Sequence, residues 1–460
     1  MPIVKTYIVP HPPLIIPEIG KGQERKIHKT IDAYHKIARD IAKIRPETII
    51  ISSPHSTLYG DYFHISPHDS ASGDFQDFGV SEVTIETKYD HNLRLDIINA
   101  CQSQGIPAGM IGEKNPNLDH GTLIPLYFIT RYYQDFKIIR ISPSGLPMID
   151  HYNLGRLINH VIPEEQKVVW VASGDLSHKL KEDGPYGLSE EGIAFDEQMN
   201  EIIKNGNFQD ILNLKPEFCY RAAECGLGSI AMMLGTLDEK QVNSHVLSYE
   251  NTFGVGYMVA ELEPVMIDTS RKFADIYMKK ISAEIEFKRK AEDEYVKLAR
   301  MSLEYYIKNK KMMPIPDDIS QKLLNKKAGT FVSLHIDGHL RGCIGTIVPT
   351  TGSVAEEIIQ NAVSAGTRDY RFNEVRLDEL EKIDYSVDEL LPSQPIRSIE
   401  SLDVKKYGLI VRSHHKSGLL LPNIDGVDTV EDQLRIAKQK AGIEDNENYY
   451  MERFEVIRHH

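Results

Sequence analysis

Three short runs constrain this chain more than anything else in it: ETIIISS (Glu47 to Ser53), FKIIRIS (Phe136 to Ser142) and KVVWVAS (Lys167 to Ser173). Each is rich in β-branched residues and apolar on both faces, the pattern of a strand covered on both sides rather than wetted on one. Amphipathic stretches with helical spacing lie between them, such as ERKIHKTIDAYHKIARDIAKI (Glu24 to Ile44) and LIPLYFITRYY (Leu123 to Tyr133). This alternation predicts a layered α/β/α fold around a parallel or mixed sheet. Ligand sites in such folds collect where strands end and loops begin.

A chain of 460 residues exceeds one ordinary core, so two domains are expected, 1–265 and 266–460. The segment from Asp268 to Arg300 is strongly charged and helical, a solvated linker or the opening helix of the second domain. Beyond it TFVSLHIDGHLRGCIGT reads as a β-hairpin turned at Asp337–Gly338, and the mixture of helix and strand that follows makes the second domain α+β. Hydrophobic content of 41% and charged content of 26% suit a globular protein. A net charge of -14 argues against a nucleic-acid binder and against docking on anionic membranes. The chain has no apolar run of roughly 18 residues, and its start lacks the marks of a signal peptide. The four cysteines, Cys101, Cys219, Cys225 and Cys343, form no CxxC pair. A cytosolic, reducing location is the expectation. The terminal His459 and His460 are assigned no role.

Four histidines of the first domain share one context, the end of an apolar run or the head of a helix: His11 in IVPHPPL, His55 in IISSPHST, His120 in NLDHGTLIPL and His178 in VVWVASGDLSH. A lone histidine is more often structural than a ligand, but four at strand exits, in a fold whose sites cluster there, point to one shared site. Neutral imidazole suits Fe(II), Zn or Cu, and two histidines with one carboxylate leave open positions for substrate. Glu224 and Cys225, in RAAECGLGSIAMML, are the candidates for a third ligand, with Glu250 a more distant one. Histidines beside the metal, His178 and His120, can serve as general base. Asp175 and Asp119 either orient those rings or cap helices.

Taken in order, the PHPP, SPHS, DHGTLIPL, GDLSH and ECG elements, closing with GVGY near Tyr257, resemble the LigB superfamily of class III extradiol dioxygenases and, within it, the Memo family. The resemblance covers about 1–262. It implies metal ligation by His11 and His55, the catalytic-base position for His178 and a substrate-facing His120. It implies a glutamate as third ligand in the dioxygenases and a cysteine in Memo-type proteins. This chain offers both, at Glu224 and Cys225.

In the second domain LRGCIG, TRDYRFNEV, YSVDELLPSQPI and GLLLPNIDG resemble the AMMECR family from Tyr295 onward. Cys343 lies between glycines near Arg341, either a reactive thiolate or a small buried apolar residue. Arg368, Asp369 and Arg371 are an anion site or a surface ion-pair cluster. The fusion resembles the AmmeMemoRadiSam system, which implies a radical SAM protein as partner. The function expected is a non-heme oxidoreductase, with Fe(II) first and Cu or Zn as alternatives, acting on a phenolic or related small molecule. The alternatives are a metal-binding scaffold without turnover and a metal-dependent hydrolase or lyase.

Overall fold

The computed structural model describes residues 3–460 except 114, 337, 425 and 445, and all of residue 378 but its side chain. The chain divides into two compact units, Met1–Tyr277 and Met278–His460.

The three apolar runs form three strands of one sheet, β2 (Thr48–Ser52), β3 (Lys137–Ile141) and β4 (Val168–Ser173). With β1 (Ile3–Val9), β5 (Lys240–Glu250) and β6 (Tyr257–Ile267) they make a six-stranded sheet in the order β3-β2-β4-β1-β6-β5. The first four strands are mutually parallel, while β6 runs against β1 and β5 against β6. The carboxyl ends of β1 to β4 therefore open at one edge of the sheet.

Alternate side chains go to opposite faces. Val9, Ile49, Ile51, Val169 and Val171 join one cluster with α1 (His28–Ile44) and α2 (His120–Ile129). Helix α1 presents Ala33, Tyr34, Ile37, Ala38 and Ile41, the one-face spacing of a half-buried helix. Helix α2 is apolar all round and buried along its length. The intervening Ile8, Ile50 and Trp170 are fully buried on the other face. There α3 (Met148–Val161) and α4 (Leu227–Gly235) pack on each other, and α4 packs on β4. Each buried Ile or Val side chain stabilises by roughly 1.5–3 kcal/mol, and that is what keeps the strand ends in place. This is the layered α/β/α arrangement.

In the second unit β7 (Thr330–Ile336), β8 (His339–Gly345) and β9 (Asp384–Leu390) form an antiparallel sheet ordered β8-β7-β9. The chain's last strand completes that sheet beside β9. Within it His459 stacks on Tyr295 at 3.7 Å, so the terminal histidine is built into the fold. Helices α5 (Glu294–Asn309) and α6 (Val354–Thr367) share a core with this sheet. A second four-stranded sheet carries the helix Val430–Ala441. The unit is α+β. Asp337 of the expected turn lies outside the described residues. The charged segment is two helices, Phe273–Ala291 and α5, with Asp293 capping the second. Among the described residues no helix is long and apolar enough to cross a membrane.

Candidate metal centre

Strand β1 delivers His11 into the interior, where it is only 2% exposed. The Tyr34 hydroxyl holds the preceding turn by donating to the Pro10 carbonyl. His11 Nδ1 meets Ser173 Oγ at 3.0 Å, at the end of β4, which turns Nε2 toward His55 and Cys225. Strand β2 delivers His55, whose backbone N–H donates to Ser53 Oγ at 3.2 Å. The two Nε2 atoms stand 2.9 Å apart, and Cys225 Sγ lies 3.6 Å from that of His11. The three donor atoms all lie within 4.8 Å of one another.

This donor set fits a metal ion. Bonds of about 2.0–2.1 Å to nitrogen and about 2.3 Å to sulfur put neighbouring ligands about 3–3.7 Å apart, close to the separations seen. Burial, and then the neighbouring imidazoles, hold His11, His55 and His120 down to about 4, so all three are neutral at ordinary pH and keep a lone pair for a metal or a substrate. Burial pushes the Cys225 thiol well up, with the Asp175 charge adding to it. A bound cation is what would draw its proton off.

Cys225 reaches the histidines through an unusual turn. The helix Pro216–Ala222 ends on Ala223 with φ +51°, a left-handed position for a residue bearing a Cβ. The N–H groups of Cys225 and Gly226 then donate to the Asp175 carbonyl at 3.3 and 2.9 Å, and the Asp175 N–H donates to Sγ at 3.2 Å. Two loops lie backbone against backbone here. A Cβ on Gly174 would sit 2.2 Å from Gly226 Cα, and one on Gly226 would sit 2.9 Å from the Asp175 oxygen.

Glutamate 224 goes elsewhere. Its carboxylate accepts the Leu227 N–H at 2.7 Å at the start of α4, and Glu224 belongs to neither donor cluster among the described residues. Of the two expected candidates for third ligand, Glu224 therefore has its carboxylate engaged at the start of α4, while Cys225 stands with the histidines. Burial pushes it up to about 7. Glu250 is also engaged, accepting from both N–H and hydroxyl of Thr30 at 2.8 Å in the first turn of α1.

Asp119 caps α2, accepting from Thr122 N–H at 3.1 Å, and it also receives Ser53 Oγ at 2.6 Å. Asp175 does not cap a helix. Its Oδ1 accepts the His11 backbone N–H at 2.8 Å, and its Oδ2 lies 3.7 Å from His178 Nε2. His178 Nδ1 donates to the Ala223 carbonyl. Burial pulls His178 down, but Asp175 and that carbonyl outweigh it, so its pKa is raised. One site therefore holds three imidazoles kept neutral and one inclined to keep a proton. The His120 ring lies 4.0 Å from that of His55 and 5.4 Å from Phe78.

In the second unit Cys343 sits on β8 opposite Ser333, whose hydroxyl donates to Sγ at 3.2 Å. Burial pushes this thiol up as well. Arg341, the guanidinium expected to activate it, is bound to Glu379 at 2.7 Å and to the Asn373 carbonyl. Arg371 is paired with Asp369 at 2.6 Å, and Asp369 receives the Cys343 N–H. Of the two expectations for Cys343, these surroundings favour the buried apolar residue, since Arg341 and Arg371 are both paired and burial outweighs the pull of Arg371 and Lys440 on the thiol. Arg368 is exposed.

Sequence reasoning missed Ser173, the Ala223 carbonyl and Ser53, which hold His11, His178 and His55 in place. Serine ending an apolar strand just before GDLSH is the one readable hint of them.

A family model described as the catalytic LigB subunit of aromatic ring-opening dioxygenase matches residues 5–260, and one described as AMMECR1 matches 296–459. A protein of Clostridium acetobutylicum is 44% identical over 98% of both chains. One of Thermotoga maritima is 48% identical over 36% of this chain and 98% of its own. The 2-aminophenol 1,6-dioxygenase beta subunit of a Pseudomonas species is 24% identical over 58% of this chain and 96% of its own.

Proposed function

The chain belongs to the LigB family of aromatic ring-opening dioxygenase subunits, with an AMMECR1 domain after it, and on that premise we propose that it is a non-heme, Fe(II)-dependent oxidoreductase. The observation that carries this reading is the convergence of His11, His55 and Cys225 beside an Asp175–His178 pair.

His11, His55 and Cys225 would hold the ion, which supplies acidification of a bound hydroxyl and a common meeting point for two reactants. His178 takes the proton of a substrate hydroxyl at Nε2, while Asp175 stabilises the imidazolium and the Ala223 carbonyl fixes the ring. Neutral His120 flanks the histidine pair, with Phe78 beside it, and the two orient a flat ring. The name of the Pseudomonas relative makes catechols and 2-aminophenols the first substrates to try. We also propose a cytosolic location and a radical SAM protein as partner, the latter on the fusion of these two domains.

Protein prepared without oxygen is expected to hold Fe(II) and to consume oxygen with a catechol or aminophenol, His178→Ala losing turnover but not iron. Iron-loaded protein inert toward that whole substrate class would overturn the reading. Cys225 itself favours a second reading, since a soft thiolate in place of a carboxylate suits Cu(I) or Zn. Tight copper without oxygen uptake would mark a metal-binding scaffold. Zinc with ester or amide cleavage would mark a hydrolase.

A further inference from the structure

Cys225 belongs to two donor clusters at once. The first is His11, His55 and Cys225; the second is Asp175, His178 and Cys225, again with all donor atoms within 4.8 Å of one another. We propose that the centre accepts two cations bridged by the Cys225 thiolate, the second held by Asp175 and His178. The proposal rests on Cys225 being a ligand in the reading above.

Asp175 and His178 each keep one donor atom in reserve. Asp175 spends Oδ1 on the His11 N–H, leaving Oδ2. His178 spends Nδ1 on the Ala223 carbonyl, leaving Nε2, as ligating histidines do when a backbone oxygen fixes the far nitrogen. The two reserved atoms stand 3.7 Å apart. A charge-assisted hydrogen bond would close to about 2.7–2.9 Å, whereas ligands at about 2.0–2.2 Å around one tetrahedral ion stand about 3.3–3.6 Å apart, nearer the separation seen.

Oxygen, nitrogen and sulfur together suit a borderline or soft ion, Zn²⁺ or Cu⁺, better than Mg²⁺ or Ca²⁺. The carboxylate and the shared thiolate would balance much of the added charge. Occupying the second position takes the same nitrogen that serves as base. The two-ion state is therefore an off state for acid–base work, and the one-ion state the working one.

The test is a zinc titration of chelator-stripped full-length protein, with bound zinc counted by elemental analysis after desalting. About two zinc ions per chain are expected in the wild type and about one in Asp175→Asn and in His178→Ala. His11→Ala combined with His178→Ala should hold none. Wild type saturating at one ion, or both single variants still holding two, overturns the second position. Melting curves of the metal-free variants check folding, and His178→Gln carries the same stoichiometric expectation should one fail. A wild type that stops at one ion yet turns over with iron leaves the functional reading intact. Full zinc retention in His11→Ala and His55→Ala would instead defeat the site on which both depend.

Discussion

Cys225 and Cys343 begin alike: each sits in a glycine-bearing segment, and burial pushes each thiol up. Around Cys225 stand two imidazoles, His11 and His55, kept neutral by their own burial and so able to give a lone pair to a cation. Around Cys343 the two arginines have already met their opposites, Arg341 with Glu379 and Arg371 with Asp369, while Lys440 also draws the thiol down. A buried thiol takes its role from the unspent valence of its neighbours, not from its own burial.

The sharpest way to break this contrast is to remove each sulfur in turn. Cys225→Ala should lower metal affinity by more than the roughly 10–100-fold that losing an outer hydrogen-bond partner costs, while Cys343→Ala leaves it unchanged in equilibrium dialysis. Equal effects would show that the two environments do not differ as described. Next, Ser173→Ala removes the group that fixes His11 and should cost about 10–100-fold in affinity. No change there would mean that Ser173 does not set the ring.

Acidity sharpens the comparison further. Above about pH 5 His11 and His55 are neutral and have no proton to displace, but the raised thiol still does, and a metal must release it. Affinity should therefore climb with pH, by about tenfold per unit through neutrality. A flat profile would remove the thiolate from the ligand set. The smallest effect is on Cys343→Ala, a loss of about 1 kcal/mol read as a fall of a few degrees in melting temperature. Alkylation of Cys343 at pH 7 faster than that of a free model thiol would contradict a thiol raised by burial.

Much of the first unit was legible because buried parallel strands write both faces in β-branched residues, as Ile49–Ile51 and Val168–Val171 do. The histidines were legible for a related reason, since such strands end at one edge. What was not legible depends on turns. Nothing in ECG says which of two adjacent side chains faces the histidines; the left-handed Ala223 and the demand of α4 for a cap decide that. Asp119 and Asp175 read alike as strings, yet one caps α2 and the other braces His11. Arg341 is two residues from Cys343 along β8, and only the folded chain shows it committed to Glu379.

Because Gly174 and Gly226 meet through main chain alone, the spacing of the two loops behind the candidate centre is set by the thickness of a peptide unit. A single methyl group at either position would act as a shim between the loops, widening the gap between sulfur and imidazole. That spacing is thus held in the backbone, where drift in the flanking side chains leaves it untouched.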